Sequence, residues 1–277
     1  MLDRFLIEDT LKNALKEDMN NGDITSEYLI DSKLKGNAVI TSKQNGVICG
    51  LDVARIIFSI VDDSVSFLEL KVDGEEVKKG EDIVVIEGNL KSILKAERVA
   101  LNFLQRMSGI ATKSSEISEL VKDLDVRVVD TRKTTPGLRI FEKYAVKKGG
   151  CFNHRFNLSD TVMIKDNHIE AAKSITQAVN RIRAQVPHTT KIEVEVKNLE
   201  ELKEALDCKA DIIMLDNMNI DTMKQAVDIA DRRAILEASG NIDNNNILDV
   251  AKTGVDIISV GALTHSFKSM DISLNIN

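Results

Sequence analysis

The stretch KIEVEV at 191–196, followed by NLEELKEALDC at 198–208 and DIIMLDN at 211–217, reads as strand, helix, strand. The two strand segments are short and rich in β-branched apolar residues, with polar residues at their ends, as expected of strands in a parallel sheet. The segment between them carries leucines and alanines at helical spacing. A strand–helix–strand unit of this length is a parallel crossover. The same rhythm recurs outward in both directions, in VRVVDTRK (126–133), TVMIKDNH (161–168), AILEASG (234–240) and DIISVGA (256–262). NIDTMKQAVDIA (219–230) supplies another crossover helix. The residues marking the six strand ends, Asp130, Asp166, Glu195, Asp216, Glu237 and Ser259, are 36, 29, 21, 21 and 22 positions apart. Polar chemistry at the carboxyl end of every strand suits an α/β barrel with its working face there. An open doubly wound sheet uses a single switch point instead. Eight βα units are not visible, so the barrel is expected to be incomplete.

Upstream of residue 125 the pattern differs. Residues 1–20 read as a helix with a stripe of Leu2, Leu6, Leu11, Ala14 and Leu15. Short glycine-bounded strand segments follow, including NAVITS, GVICG and DIVVIEG, with a DG turn inside the hairpin-like VDGEEVKKGEDIVVIEG. Swinging-arm carrier domains share such strands, but no lysine occupies a hairpin tip. SILKAERVALNFLQRM (92–107) is strongly periodic, and Ser108-Gly109 is the expected helix stop.

The chain has 277 residues and a formal charge of −7, room for one large domain or two smaller ones. No apolar run approaches a membrane span and the amino terminus lacks a signal-peptide core, so a cytoplasmic protein is expected. Three separated cysteines without a CxxC pair argue against disulfides and a zinc–thiolate site. An acidic chain without Trp and only 4% aromatic is a poor generic nucleic-acid binder. Charge is uneven, however. Between Arg127 and His168 nine basic residues stand against four acidic ones, which makes this stretch +5 and the remainder −12. A cationic island of that kind suits a small anionic ligand. Lys143, Lys147 and Lys148 read as solvated charges of one helix.

Arg132, Lys133, His154, Arg155 and Lys165 fall at or near the first two strand ends, where guanidinium forks and ammonium groups match carboxylates or phosphates. Glu195 and Asp216 end the next two strands and offer oxygens suited to Mg²⁺ bridging a polyphosphate. Ser239-Gly240 and Gly261-Ala262 end the last two, where small residues expose amides for a phosphate. Cations, carboxylates and a phosphate cradle together suggest an anionic co-substrate meeting a Mg-bound phosphorylated sugar. Alternatives fare worse. No GxxxxGK[ST] or GxGxxG occurs. His168 has no histidine partner at metal spacing, His188 reads as an exposed loop residue, and His265 reads as support for the phosphate loop. A Cys151/His154 nucleophile is conceivable in GGCFNHR, but nothing else suggests acyl transfer.

At these residues the chain closely resembles the quinolinate phosphoribosyltransferase family. The resemblance is carried by EDMNNGDITS, ALNFLQRMSGIAT, DTRKTTPGLRIFEKYAVKKGG, NHRFNLSDTVMIKDNHI, EVEV, IIMLDNM, EASG and GVDIISVGALTHS. It implies an amino-terminal α/β sandwich domain over 1–112 and an incomplete α/β barrel over 113–267, with the tail 268–277 packing on the former. It also implies Mg²⁺-dependent joining of quinolinate to phosphoribosyl pyrophosphate, with loss of pyrophosphate and CO₂, in NAD biosynthesis. The matching positions make Arg132, Lys133, His154, Arg155 and Lys165 quinolinate-binding, with Arg139 an added basic wall residue. Arg106 matches an arginine supplied by the partner subunit of a homodimer. Glu195 and Asp216 match the ribose and Mg²⁺ positions, and Ser239, Gly240 and Gly261 the phosphate loops. Lys133 or Lys165 is expected to assist decarboxylation. The chain departs from the family in NIDNNN after EASG, where a second glycine is common, and in Cys151, where a third glycine is common. Competing readings are a paralogue with another anionic acceptor, a Schiff-base aldolase using Lys165, and a non-catalytic metabolite sensor.

Overall fold

The structure is a computed structural model that describes residues 2–276. Its elements are α1 (Arg4–Asp18), α2 (Ile24–Leu29), β1 (Lys35–Ser42), β2 (Gly46–Val47), α3 (Leu51–Val61), β3 (Ser66–Glu69), β4 (Glu76–Val77), β5 (Asp82–Asn89) and α4 (Leu90–Leu120). They continue with β6 (Arg127–Val129), α5 (Arg139–Lys148), β7 (Val162–Ile164), α6 (Asp166–Ala172), α7 (Ile175–Arg183), β8 (Ile192–Val196) and α8 (Leu199–Asp207). The last are β9 (Ile212–Asp216), α9 (Ile220–Ala230), β10 (Ile235–Ser239), α10 (Ile247–Ala251), β11 (Ile257–Ser259), α11 (Ala262–His265) and β12 (Ile272–Ile276). The chain divides into two units. One comprises Met1–Ser115, Thr134–Gly150 and Ser266–Asn277, and the other Glu116–Lys133 and Cys151–His265.

The first unit is built on an antiparallel sheet of order β12-β1-β5-β3. Helix α1 begins where the Asp3 carboxylate accepts the Phe5 N–H. It buries Ile7, Leu11 and Leu15, a four-residue spacing that keeps them on one face. The expected stripe was one residue off at its start, because Leu6 is 61% exposed while Ile7 is fully buried. Helix α3 adds Ile57 and Phe58 to the core, with the Phe58 ring 5.6 Å from that of Phe67 on β3. Each such buried side chain contributes roughly 1.5–3 kcal/mol.

Three local expectations need correction. The DG turn forms at Asp73-Gly74, closed by the Glu75 N–H to the Val72 carbonyl at 3.0 Å. Its flanking strand β4, however, pairs with β2, while β5 pairs with β1 and β3. Helix α4 does not stop at Ser108-Gly109 but runs on to Leu120. A side chain at Gly109 would lie 2.1 Å from the Lys268 carbonyl oxygen, so this glycine serves close packing. Ser108 is spent on a buried contact, its hydroxyl accepting the Cys49 N–H at 2.9 Å. Finally, Lys143 is only 2% exposed, unlike Lys147 on the same helix. The carboxyl-terminal β12 closes the sheet by antiparallel pairing with β1, from Ala38–Ile276 to Ser42–Ile272.

The second unit is a parallel six-stranded array of order β6-β11-β10-β9-β8-β7. Read in a circle, this is chain order with one seam, since β6 and β7 are not paired with each other among the described residues. It is the incomplete α/β barrel expected. Two aspartates stitch the strand starts. Asp211 accepts the Ile192 N–H at 2.9 Å and Asp256 accepts the Leu236 N–H at 2.7 Å. Ser174, Asn198 and Asn219 cap α7, α8 and α9 through their side chains, which ends each βα loop sharply. Alternation then places Lys165, Glu195, Asp216 and Ser239 on one face at the carboxyl ends. Two residues earlier on each strand, Met163, Glu193, Met214 and Glu237 point to that same face, with Met214 and Glu237 paired level with Glu195.

Candidate active site

These carboxyl ends surround a cavity of about 620 Å³. Nine of the residues expected from the sequence line it: Arg132, Lys133, His154, Arg155, Lys165, Glu195, Asp216, Ser239 and Gly240. Gly261 borders Lys133, and the Thr264 hydroxyl of the same turn donates to the Lys133 carbonyl at 2.8 Å. Arg106 and Arg139 belong to the other unit, where Arg139 Nε donates to the Thr134 hydroxyl at 2.9 Å. Thr131, Met163, Met214, Asn217, Asn241 and Ser259 complete the lining together with Glu237.

The cationic loop after β6 is organised by a residue that does not itself line the cavity. Asp130 is fully buried, accepting Asn153 Nδ2 at 2.6 Å and the His154 N–H at 2.9 Å. It thereby fixes the NHR segment beside the strand end. The Arg155 guanidinium donates from Nη1 to the Thr161 carbonyl at 3.1 Å and approaches Met163 Sδ at 3.5 Å, while its buried Nε has no partner. Burial first, and the charge of Arg132 second, lower the Arg155 pKa. Two guanidinium groups close enough to repel, with a buried donor left over, suit an anion between them.

Lys165 forms a tight ion pair with Glu195, joining the cationic and acidic parts of the rim. His168 turns away, its Nδ1 accepting the Lys165 N–H at 3.0 Å as the start of α6 is closed.

Beneath the rim lies a cluster that the sequence reading missed. His154 Nε2 is 3.3 Å from a carboxylate oxygen of Glu193 and 3.3 Å from one of Glu237. Both glutamates are buried, and apart from the His154 contact the Glu193 oxygens have no partner among the described residues. Burial above all raises the Glu193 pKa, and Glu237 adds to the rise. Burial works against a charged His154 ring, but the contacts with Glu193 and Glu237 outweigh it and push the ring up to about 10. Nδ1 accepts the Arg155 N–H at 2.7 Å, however, and so needs its lone pair. That contact leaves Nε2 as the ring nitrogen that donates toward the two glutamates. The signal was available in principle, because Glu193 and Glu237 share strand faces with Glu195 and Ser239.

His154, Glu193 and Glu237 are also the one group of three among the described residues close enough to hold a metal ion. A proton on Nε2 does not fit ligation through that nitrogen, since a metal-bound histidine usually donates from its other nitrogen. Glu195 and Asp216 are the better fit to Mg²⁺. They are oxygen donors on neighbouring strands at an open rim, and Mg²⁺ commonly takes one or two carboxylates with water and substrate phosphates.

The loop after β10 has an unusual backbone. Gly240, at φ +103°, is followed by Asn241 at φ +52°, with Asn217 opposite at φ +53°. Asn tolerates the left-handed region better than most residues, so Asn241 holds a glycine-like conformation where the family often has glycine. The NIDNNN segment closes on itself through Asn246 Nδ2 to the Asn241 carbonyl at 2.9 Å and the Asp243 N–H to Asn246 Oδ1 at 2.9 Å. Cys151 is buried. Burial first, and Asp130 second, push its thiol up to about 12, which removes the thiolate a Cys/His nucleophile requires.

The sequence matches two family models, "Quinolinate phosphoribosyl transferase, N-terminal domain" over residues 23–108 and "C-terminal domain" over 110–275. A probable nicotinate-nucleotide pyrophosphorylase [carboxylating] of Synechocystis sp. is 44% identical, covering 98% of this chain and 92% of the relative. The protein of that description from Bacillus subtilis is 42% identical over 96% of this chain and 92% of its own. The crystal structure of NadC from Streptococcus pyogenes superimposes with a TM-score of 0.97 at 42% identity, covering 100% of this chain and 98% of that one.

Proposed function

The chain belongs to the quinolinate phosphoribosyltransferase family, the decarboxylating phosphoribosyltransferases of NAD biosynthesis, and from that premise we propose how its residues divide the work. Arg132, Lys133 and Arg155, with Lys165 at the edge, receive the two carboxylates of quinolinate. Glu195 and Asp216 face the ribose of phosphoribosyl pyrophosphate and would hold Mg²⁺, which would supply charge neutralisation for the pyrophosphate. The amides around Ser239-Gly240 and Gly261 take the ribose phosphate.

As pyrophosphate leaves, the ribose C1 carbon gains oxocarbenium character, which the Glu195 and Asp216 carboxylates stabilise. The quinolinate nitrogen forms the new bond to that carbon and becomes cationic. Its charge stabilises the electron pair left at C2 when the C2-carboxylate bond breaks and CO₂ departs. That pair takes one proton. Lys165 is engaged by Glu195, whereas the Lys133 ammonium has no side-chain partner among the described residues, so Lys133 is the better donor of the two. The engagement of Lys165 also weakens the Schiff-base alternative, which needs a free amine at that position. The main contribution of the protein is orientation and fixed charge.

A homodimer in which Arg106 completes the neighbouring site belongs to this reading, as does a cytoplasmic setting. Three free cysteines agree with a reducing compartment. No helix among the described residues is long and apolar enough to cross a membrane.

The observation that carries the reading is the single cavity in which Arg132, Lys133, Arg155 and Lys165 face Glu195, Asp216 and Gly240. The test is an assay with quinolinate, phosphoribosyl pyrophosphate and Mg²⁺, following nicotinate mononucleotide and labelled CO₂ from the 2-carboxylate, with nicotinate in parallel. Equal release of product and label, with nicotinate inert and EDTA abolishing turnover, is expected. Saturable quinolinate binding without turnover would favour the sensor. Neither binding nor turnover would point to a paralogue with another acceptor.

A further inference from the structure

Arg106 lies on α4, and its guanidinium is held on three sides by its own unit. Nε and Nη2 donate to one oxygen of Glu142 at 3.1 and 2.5 Å. Nη2 also makes a close contact with the Thr135 hydroxyl. The Phe267 ring lies 4.8 Å below the guanidinium carbon, a cation–π distance. The second Glu142 oxygen accepts the Thr135 N–H at 3.1 Å. Glu142 is fully buried in the first turn of α5, whereas the Arg106 side chain is 27% exposed. Nη1 makes no hydrogen bond among the described residues. It is therefore the edge left for a ligand, beside a cavity of about 320 Å³ lined by Asn102, Phe103, Gln105, Leu138 and Ser269.

We propose that Glu142 is a positioning residue for substrate binding: one buried carboxylate locks Arg106 and the Thr134–Leu138 loop into a fixed relation and aims the free Nη1 edge outward at the neighbouring subunit's dicarboxylate substrate. This rests on the reading that Arg106 serves the neighbouring site. The physical reason is preorganisation. An arginine has several rotatable bonds, and ordering a rotamer-rich side chain on binding costs about 0.5–1.5 kcal/mol. Two charge-assisted hydrogen bonds to one oxygen of a buried carboxylate, with an aromatic ring beneath, meet that cost during folding. Glu142 touches no substrate itself. It acts through Arg106.

The test compares Glu142→Gln, Glu142→Ala, Thr135→Val and Arg106→Ala in the full-length protein. Glu142→Gln keeps the volume but turns an amide donor against Arg106 or the Thr135 N–H. We expect it to raise the quinolinate KM by about tenfold, with the phosphoribosyl pyrophosphate KM within about twofold of wild type. Thr135→Val, which leaves Glu142 and the fold in place, should shift the same constant by less. The Arg106→Ala/Glu142→Ala double variant should be no worse in quinolinate KM than Arg106→Ala alone, because both act through one group. Co-expressing Glu142→Ala with Lys133→Ala subunits should restore turnover with a wild-type quinolinate KM, since one barrel then meets an intact Arg106–Glu142 pair. Additive losses, equal changes in both KM values, or no restoration in mixed oligomers would overturn the proposal. Absence of wild-type turnover would bring down the underlying reading first, and this one with it.

Discussion

Replacing Gly240 with alanine probes the loop after β10, proposed above to hold the ribose phosphate, at the point where backbone and side-chain demands coincide. At φ +103° an L-residue is strained, by about 1–2 kcal/mol. The new Cβ would stand 2.2 Å from Asn217 Oδ1, 2.6 Å from its Cγ and 3.0 Å from its backbone nitrogen. Asn217 has little freedom to retreat. Its N–H donates to the Ser239 carbonyl at 2.8 Å, and its Oδ1 accepts Asn241 Nδ2 at 3.2 Å. Moving the side chain away breaks that last bond, worth about 0.5–1.5 kcal/mol. The sum is about 2–3 kcal/mol. At about 2–4 °C per kcal/mol for a domain of 150–250 residues, Tm should fall by about 4–12 °C. Where part of the strain is relieved by opening the loop, phosphate binding must restore it. The phosphoribosyl pyrophosphate KM should then rise about 10- to 100-fold, the equivalent of about 1.4–2.8 kcal/mol. The quinolinate KM should stay within about twofold. Thermal melts and steady-state kinetics with each substrate varied in turn provide the check. A Gly240→Ala protein that melts and binds phosphoribosyl pyrophosphate like wild type would refute both the close approach and the assignment of this loop to phosphate.

Arg132→Ala and Arg155→Ala should each raise the quinolinate KM by about 10- to 100-fold, as expected for a charge-assisted bidentate contact, with smaller effects on the other substrate; unchanged quinolinate kinetics in both would remove them from the site. Asp130→Ala leaves the buried His154 N–H without its acceptor, and should cost about 1–3 kcal/mol of stability in urea unfolding while loosening the NHR segment. Cys151 has its thiol pushed up to about 12, so at pH 8 the thiolate is roughly one part in ten thousand. Since deprotonation is what makes the sulfur react, iodoacetamide labelling of Cys151 in the folded protein should be negligible at pH 8 and climb only as pH approaches 12. Cys151→Ala should keep turnover. Rapid labelling at pH 8 by mass spectrometry, or loss of activity in the alanine variant, would contradict this.

The barrel was legible because parallel strands buried on both faces have little compositional freedom. The repeating distance from one strand end to the next reports the βα unit directly. The amino-terminal unit was harder to read for identifiable reasons. Ser108-Gly109 carries the composition of a helix stop, yet the glycine is required by the Lys268 carbonyl, a contact made across more than 150 residues of chain. Local punctuation cannot distinguish a glycine that ends a helix from one that admits another backbone. The DG turn was correct as a turn, but the partner of β4 is β2, some thirty residues upstream, and a hairpin signal says nothing about non-neighbouring pairs. Lys143 follows the helical charge pattern and is nevertheless buried, because α5 is covered on most of its sides, burying Phe141, Glu142, Ala145 and Val146 as well.

The lining of the cavity was legible in position but not in depth. In EVEV, Glu193 and Glu195 have the same side-chain direction, and nothing local separates them. Two residues of strand amount to roughly 6.6 Å along the strand. That distance sets one carboxylate at the rim, paired with Lys165, and the other in the barrel interior beside His154. The same step separates Glu237 from Ser239 on β10, and the pairing of Glu237 with Met214 sets it level with Glu195 in strand register. Depth is a property of the assembled register, since it depends on where each strand begins relative to its neighbours. Those starts are determined by the Asp211 and Asp256 contacts, which look like ordinary strand-leading acids in the sequence. A reading that ranks strand-end carboxylates by chemistry alone therefore selects Glu195 and Asp216 and passes over Glu193. The buried carboxylate has no partner beyond His154 and a raised pKa, so a strongly perturbed group lies two residues below Glu195, deeper than the rim.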